Sequence, residues 1–96
     1  MMRRAAKVDD NHLSICNALK AIGFSVLSLA VIGRGCPDIV VGAYGKNFLF
    51  EIKDGSKPEC KRKLTDDEVR WHQAWKGQVH VIMTFEEAVA IIMKGG

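Results

Sequence analysis

The sequence predicts a small α/β domain in which a small mixed β-sheet is flanked by helices, in the order αβββαβα. Three features carry this prediction: apolar residues recur at helical spacing near both ends of the sequence, strand-like runs lie between them, and two capping boxes mark helix starts. The 96 residues are 48% hydrophobic and 26% charged, which is the composition of a globular protein. We therefore expect a single domain over residues 1–96.

The first predicted helix begins near Asp9 or Asp10, either of which can cap its N-terminus. Its apolar face follows at helical spacing with Ile15, Leu19 and Ile22. Gly23 is placed to end the helix in a left-handed conformation.

Three strands are predicted after this helix. The run FSVLSLAVI, residues 24–32, is rich in strand-forming residues and ends at a turn over residues 33–35. A second, shorter strand covers residues 38–41. The run GAYGKN is typical of a turn and leads into a third strand over residues 48–53.

The second half of the sequence alternates helices with a strand. A polar loop extends to Lys63, and the capping box Thr65–Glu68 starts a helix that continues to about Lys76. The run QVHVIMT, residues 78–84, is predicted as a strand, and a second capping box, Thr84–Glu87, starts the last helix. We expect the strands to form one sheet on which the helices pack.

The third strand carries two opposite charges on one face. Because side chains alternate along a strand, Glu51 and Lys53 point to the same side, away from the aromatic residues of the run. If the second and third strands pair in a hairpin, Asp38 lies close to Glu51. Two carboxylates and an ammonium are costly to bury, and a divalent cation such as Mg²⁺ or Mn²⁺ offsets that cost. The alternative is a solvated Glu51–Lys53 ion pair, but the combination with Pro37-Asp38 is uncommon enough by chance to favour a site.

The arrangement of these residues resembles a known signature. Pro37-Asp38, twelve further residues and then Glu51-x-Lys53 look like the motif of the PD-(D/E)XK nucleases, whose restriction-endonuclease-like core has the same αβββαβ series. Several ordered blocks also resemble the VRR-NUC family in its stand-alone phage and prophage form. These blocks are KVDDNH at 7–12, GRGCPDIVVG at 33–42, LFEIKDG at 49–55 and LTDDEVRWHQAWKG at 64–77. The resemblance covers nearly the entire sequence.

This resemblance implies a metal-dependent DNA endonuclease, often homodimeric, that acts on branched DNA such as four-way junctions. By the match, Asp38 and Glu51 are the metal ligands. The backbone carbonyl of Ile52 is a third contact to the metal, and Lys53 is the catalytic amine. The implied cofactor is Mg²⁺ or Mn²⁺.

One departure from the family concerns the first helix, where members commonly carry a Glu or Gln. The equivalent region of this sequence has Asn11 and His12; either could serve through a water, or the metal could manage with fewer protein ligands. The departure motivates a second interpretation, a non-catalytic DNA-binding module with a degenerate nuclease site. A third is a protein-interaction domain whose charged strand face meets another protein.

Basic residues near the predicted site are candidates for DNA binding. Arg34 lies between two glycines, where it either holds a phosphate or is an exposed turn residue. A basic run after the third strand either clamps the duplex backbone or is a solvated loop; its members are Lys57, Lys61, Arg62 and Lys63. A further basic group consists of Arg3, Arg4 and Lys7. Such local patches attract polyanions although the net charge is only +3.

The sequence gives no sign of a membrane or secreted protein. No apolar stretch approaches the roughly 20 residues that a membrane span needs, and the first residues lack the apolar segment of a signal peptide. The cysteines, Cys16, Cys36 and Cys60, are odd in number and lack metal-binding spacing, which favours free thiols. We therefore expect a protein of the cytoplasm with no membrane partner, and the family resemblance implies a bacterial or phage-infected cell.

Overall fold

The computed structural model describes residues 10–95, in which helices flank one sheet. In chain order its elements are α1 (His12–Ala21), β1 (Ser25–Ser28), β2 (Ile39–Ala43), β3 (Lys46–Ile52), α2 (Glu59–Arg62), α3 (Asp66–Ala74), β4 (His80–Ile82) and α4 (Phe85–Lys94). The predicted order is confirmed with one addition, the single turn α2. The proposed cap Asp9 and the basic residues Arg3, Arg4 and Lys7 lie outside the described residues.

The four strands form one mixed sheet in the order β1-β2-β3-β4. Neighbouring pairs β1–β2 and β2–β3 are antiparallel, and β3–β4 is parallel. A two-residue turn joins β2 to β3, and both of its residues, Tyr44 and Gly45, are left-handed with φ of 55° and 75°. Such a turn matches the twist of the strands and pairs Ile39 with Phe50. This register places Asp38 beside Glu51.

One face of the sheet forms the core, together with α1 and α4. The buried apolar side chains are Ile15, Cys16, Leu19, Ile39, Val41, Ala43, Phe48, Phe50, Ile52, Ile82, Ala88 and Ile92. Every second residue of β3 from Phe48 to Ile52 therefore points into the core. Glu51 and Lys53 point to the opposite face, as the alternation predicts.

The helix boundaries follow local capping chemistry. Both predicted capping boxes are confirmed: Thr65 and Thr84 each accept a hydrogen bond from the N–H of the glutamate three residues later. Gly23, two residues after the end of α1, is left-handed with φ of 100°, as predicted. No helix within residues 10–95 is long and apolar enough to cross a membrane.

Several predicted boundaries are wrong by a few residues. The polar loop contains α2, because Pro58 starts a turn in which its carbonyl accepts from the Lys61 N–H at 2.8 Å. β1 ends at Ser28 rather than near residue 32, since a turn follows in which Ile32 N–H donates to the Leu29 carbonyl. Helix α3 ends at Ala74 instead of about Lys76.

Helix α1 begins without the predicted aspartate cap. Asn11 occupies the capping position, yet its side chain makes no capping hydrogen bond. Its amide nitrogen instead donates to the carbonyls of Lys53 at 3.1 Å and Met83 at 3.0 Å. Asn11 thus ties the start of α1 to the ends of β3 and β4, near the charged residues of the sheet.

Candidate active site

The β2–β3 register brings the two predicted carboxylates together. Asp38 directly precedes β2, and its N–H donates to the Phe50 carbonyl at 3.0 Å. Its Oδ2 accepts a hydrogen bond from the Ile52 N–H at 2.6 Å. The register of β2 and β3 places the Glu51 carboxyl next to Asp38, and burial and the Asp38 carboxylate both act to raise the pKa of Glu51. Asp38 is therefore held by backbone hydrogen bonds beside a second carboxyl group.

Glu51 is in an environment that opposes its negative charge. Only 3% of the residue is exposed, and its Oε1 has no hydrogen-bond partner among the described residues. Burial, followed by the neighbouring Asp38 carboxylate, raises the pKa of Glu51 from 4.5 to about 10. Without a further positive charge, this carboxyl group is protonated at neutral pH.

The unpartnered oxygen and the paired carboxyls fit a divalent cation. The N–H and C=O of one residue in an antiparallel strand point to the same side, so the Ile52 carbonyl faces the Asp38 side of β3. Over residues 10–95, no group of three or more Asp, Glu, His or Cys side chains is arranged to hold a metal. The chain would therefore supply two carboxylates and one carbonyl, with waters completing the shell, which is how Mg²⁺ is commonly bound.

Lys53 lies on the same face as Glu51, at the end of β3. Its Nζ is 3.9 Å from Glu51 Oε2 and 2.8 Å from Glu68 Oε1. Only 9% of its side chain is exposed. The structure thus brings together three residues predicted from the sequence, Asp38, Glu51 and Lys53, and adds a fourth.

That fourth residue, Glu68, was missed by sequence reasoning as a site residue. Its place in the capping box of α3 accounted for a glutamate at this position, so no pattern indicated a second role. Burial acts to raise the pKa of Glu68, but hydrogen bonds from Lys53 and the Thr65 N–H lower it below its usual range. Glu68 is therefore the ionised partner of the Lys53 ammonium.

An open cleft of about 570 Å³ lies over these residues. Its lining consists of Asp10, Asp38, Glu51, Ile52, Lys53, Lys57, Pro58, Lys61, Thr65 and Glu68. Two of the predicted DNA-binding residues, Lys57 and Lys61, belong to this lining, and Lys57 Nζ is 3.1 Å from Asp10 Oδ2. The cleft therefore has carboxylates at its centre and lysines at its edge.

The remaining predicted site residues lie outside the cleft lining. Lys63 and Arg34 are exposed, and Arg62 is half-buried. Of the two first-helix candidates, Asn11 braces the end of β3 through its amide nitrogen. His12 is half-buried, and its Nδ1 has no partner among the described residues.

The turn that carries Arg34 packs directly on α3. Gly33, Arg34 and Gly35 are all left-handed, with φ of 67°, 58° and 83°. A Cβ added at Gly35 would meet the Asp67 carbonyl oxygen far inside van der Waals distance. Only a glycine allows this approach, which sets the first turn of α3, and with it Glu68, against the strand ends.

Comparison with solved structures finds a similar fold in a protein described as a VRR_NUC domain. The match has a TM-score of 0.65 at 23% sequence identity and covers 96% of this chain and 100% of that chain. No family model matches the sequence. No curated protein matches it closely either. The likeness shows that the two proteins share a fold, and it confirms the predicted restriction-endonuclease-like α/β fold.

Proposed function

We propose that this protein is a divalent-metal-dependent DNA endonuclease that hydrolyses phosphodiester bonds at Asp38, Glu51 and Lys53. One observation carries the proposal: the buried Glu51 carboxyl has an unpartnered oxygen beside a second carboxyl group, at the floor of an open cleft edged by lysines. An arrangement so unfavourable in the metal-free protein is typical of a functional site. The VRR_NUC fold adds support for nuclease chemistry.

Each residue of the site has a separate role in this proposal. Asp38, Glu51 and the Ile52 carbonyl would hold Mg²⁺ or Mn²⁺. When bound, the ion polarises the phosphodiester and lowers the pKa of a water. Lys53 carries its ammonium 3.9 Å from Glu51 Oε2, where it binds a phosphate oxygen, orients the attacking water and stabilises the negative charge that develops. The hydrogen bond from the Ile52 N–H keeps Asp38 in place throughout.

DNA binding in this proposal depends on the basic residues around the cleft. Lys57 and Lys61 line it and would contact backbone phosphates on either side of the scissile bond. The other predicted contacts, Arg34, Arg62 and Lys63, would extend the interface along the duplex. Because each phosphate contact releases counterions, binding should weaken steeply as salt rises.

The resemblance to the VRR-NUC family suggests branched DNA as the substrate. We expect a four-way junction to be cleaved about tenfold or more faster than a linear duplex of the same sequence, a difference of about 1.4 kcal/mol. The measurement is the rate of product formation from end-labelled DNA of each form in Mg²⁺ or Mn²⁺. Equal rates on both substrates would contradict the selectivity while leaving the nuclease chemistry in place.

A homodimer is part of the same proposal. The described residues extend over only 36 × 29 × 28 Å, about the length of ten base pairs, so one copy covers little of a junction. A two-fold pair would present two metal sites to two strands. Sedimentation at micromolar concentration should show a dimer, and a purely monomeric protein would contradict this expectation.

A non-catalytic DNA-binding module is the second candidate. It is favoured by the small ligand set, because the start of α1 supplies no carboxylate. The Asn11 amide nitrogen is bonded to two carbonyls, and only its Oδ1 has no partner among the described residues. This candidate predicts junction binding that does not depend on metal and yields no product. The cleavage experiment therefore separates the two functions.

A further inference from the structure

We propose that Glu68 is a positioning residue, which holds the Lys53 ammonium beside the carboxyl groups that bind metal without a direct hydrogen bond to Glu51. The inference rests on the proposed function, since it concerns the same site. It adds a role for the first turn of α3, which the sequence explains by helix capping alone.

The contacts of one oxygen carry the inference. Glu68 Oε1 accepts a hydrogen bond from Lys53 Nζ at 2.8 Å and another from the Thr65 N–H at 2.8 Å. Thr65 Oγ1 in turn accepts from the Glu68 N–H at 3.2 Å. The Thr65 N–H therefore holds the carboxylate, and the Thr65 hydroxyl holds the Glu68 backbone. A flexible lysine side chain gains a rigid acceptor in this way.

The distances show what Glu68 prevents. Lys53 Nζ lies 3.9 Å from Glu51 Oε2, beyond hydrogen-bond range, although both groups are almost fully buried. The Glu68 oxygen accepts one hydrogen of the ammonium at 2.8 Å, whereas an ammonium turned toward Glu51 would occupy an oxygen that a cation needs. Glu68 leaves that oxygen available and keeps the ammonium beside it.

The position of α3 against the strands makes this contact possible. The left-handed turn at residues 33–35 packs its Gly35 on the backbone of Asp67 and Glu68. The turn also precedes Asp38 by only a few residues. One short segment therefore sets both the Asp38 carboxylate and the helix that carries Glu68.

The chain contains a matched control in its second capping box. Thr84 Oγ1 accepts from the Glu87 N–H at 3.1 Å, and Glu87 Oε1 accepts from the Thr84 N–H at 3.2 Å. This box starts α4, and neither Thr84 nor Glu87 lines the cleft. Glu87 Oε1 also accepts from the Met83 N–H at 2.5 Å. Glu87→Gln therefore reports the effect of a weaker cap at a glutamate outside the cleft.

The test compares Glu68→Gln with Glu87→Gln. Glutamine also serves in a capping box, so both variants should fold. Glu68→Gln should lose more thermal stability than Glu87→Gln, because it also removes the negative partner of a buried ammonium. We expect Glu68→Gln to lower the catalytic rate constant about tenfold to a hundredfold, because a charge-assisted hydrogen bond to Lys53 is lost. The dissociation constant for junction DNA should stay within about twofold. Glu87→Gln should cleave at the wild-type rate.

A second readout does not depend on cleavage. In metal-free protein labelled with ¹⁵N at lysine Nζ, the buried, hydrogen-bonded Lys53 ammonium should exchange slowly with water and give a distinct NMR signal, assigned by its absence in Lys53→Met. The signal should shift or vanish in Glu68→Gln and persist in Glu87→Gln. An unchanged Lys53 signal together with equal activity of the two variants would overturn the proposed role. A wild-type protein without nuclease activity would contradict the proposed function, and the NMR signal would still decide whether Glu68 holds Lys53.

Discussion

Glu51→Gln is expected to abolish DNA cleavage and, in the same protein, to raise the stability of the metal-free fold. The loss of cleavage should be at least about a hundredfold, because the substitution removes a charged oxygen ligand at the centre of the site. The gain in stability comes from removing a buried carboxyl group that is costly to ionise. Function and stability are thus expected to change in opposite directions at one residue.

The pH dependence of the free energy of unfolding shows why Glu51→Gln should stabilise the metal-free protein. The pKa of Glu51 is about 10 in the folded protein and 4.5 in an ordinary setting, so over that interval the folded state binds a proton that the unfolded state releases. The stability of the metal-free wild type should therefore fall as pH rises from about 4.5 toward 10. Glu51→Gln should remove this decline, so its advantage in stability over wild type should grow with pH by up to about 1.4 kcal/mol per pH unit.

Chemical unfolding of metal-free wild type and variant across pH 5 to 9 measures this effect. The control is Glu86→Gln, because Glu86 is an exposed residue on α4. This variant should follow the wild-type curve. If the stability of wild type and of Glu51→Gln changed with pH in parallel, the description of Glu51 as a buried carboxyl group with a raised pKa would be contradicted. A Glu51→Gln protein that still cleaves DNA would contradict its place in the site.

Gly35→Ala is expected to have the second large effect, on both stability and cleavage. The added Cβ would collide with the Asp67 backbone, and the residue would also have to keep a φ of 83°. We expect a loss of about 2–4 kcal/mol in the free energy of unfolding, made up of backbone strain and displacement of α3. Because Glu68 moves with α3, cleavage should also fall at temperatures where the variant is folded.

Gly45→Ala is the matched control for this substitution. Gly45 has a similar φ of 75°, but an added Cβ there meets no atom within 4 Å. It lies in the β2–β3 turn, at the opposite end of these strands from Asp38 and Glu51. Gly45→Ala should therefore lose about 1 kcal/mol through backbone strain alone and retain full cleavage. Equal losses of stability in the two variants would contradict a close contact between Gly35 and α3.

The parts of the fold that could be predicted from the sequence depend on local patterns. The alternation in β3 and the short turn before it were enough to place Glu51 and Lys53 on one face and Asp38 beside them. The two capping boxes likewise predicted the starts of α3 and α4 within a residue. Each of these features involves residues close together in the chain.

The parts that could not be predicted depend on contacts between distant segments. Glu68 reaches Lys53 across 15 residues only because Gly35 allows α3 to pack closely on a turn. The Asn11 side chain makes no capping hydrogen bond and instead donates to carbonyls 42 and 72 residues away. The short helix α2 has too few residues for a helical pattern to be visible. The periodicity of side chains along the sequence contains no information on contacts between distant segments.

The most direct test of the central claim, a divalent-metal nuclease site at Asp38, Glu51 and Lys53, is cleavage of an end-labelled four-way junction in Mg²⁺, Mn²⁺ or EDTA. Wild type would be compared with Asp38→Ala and Lys53→Ala. We predict product in the presence of metal, none in EDTA, and none from either variant although both still bind the junction. A wild type that binds the junction but leaves it intact in both metals, or a variant that cleaves like wild type, would contradict the claim.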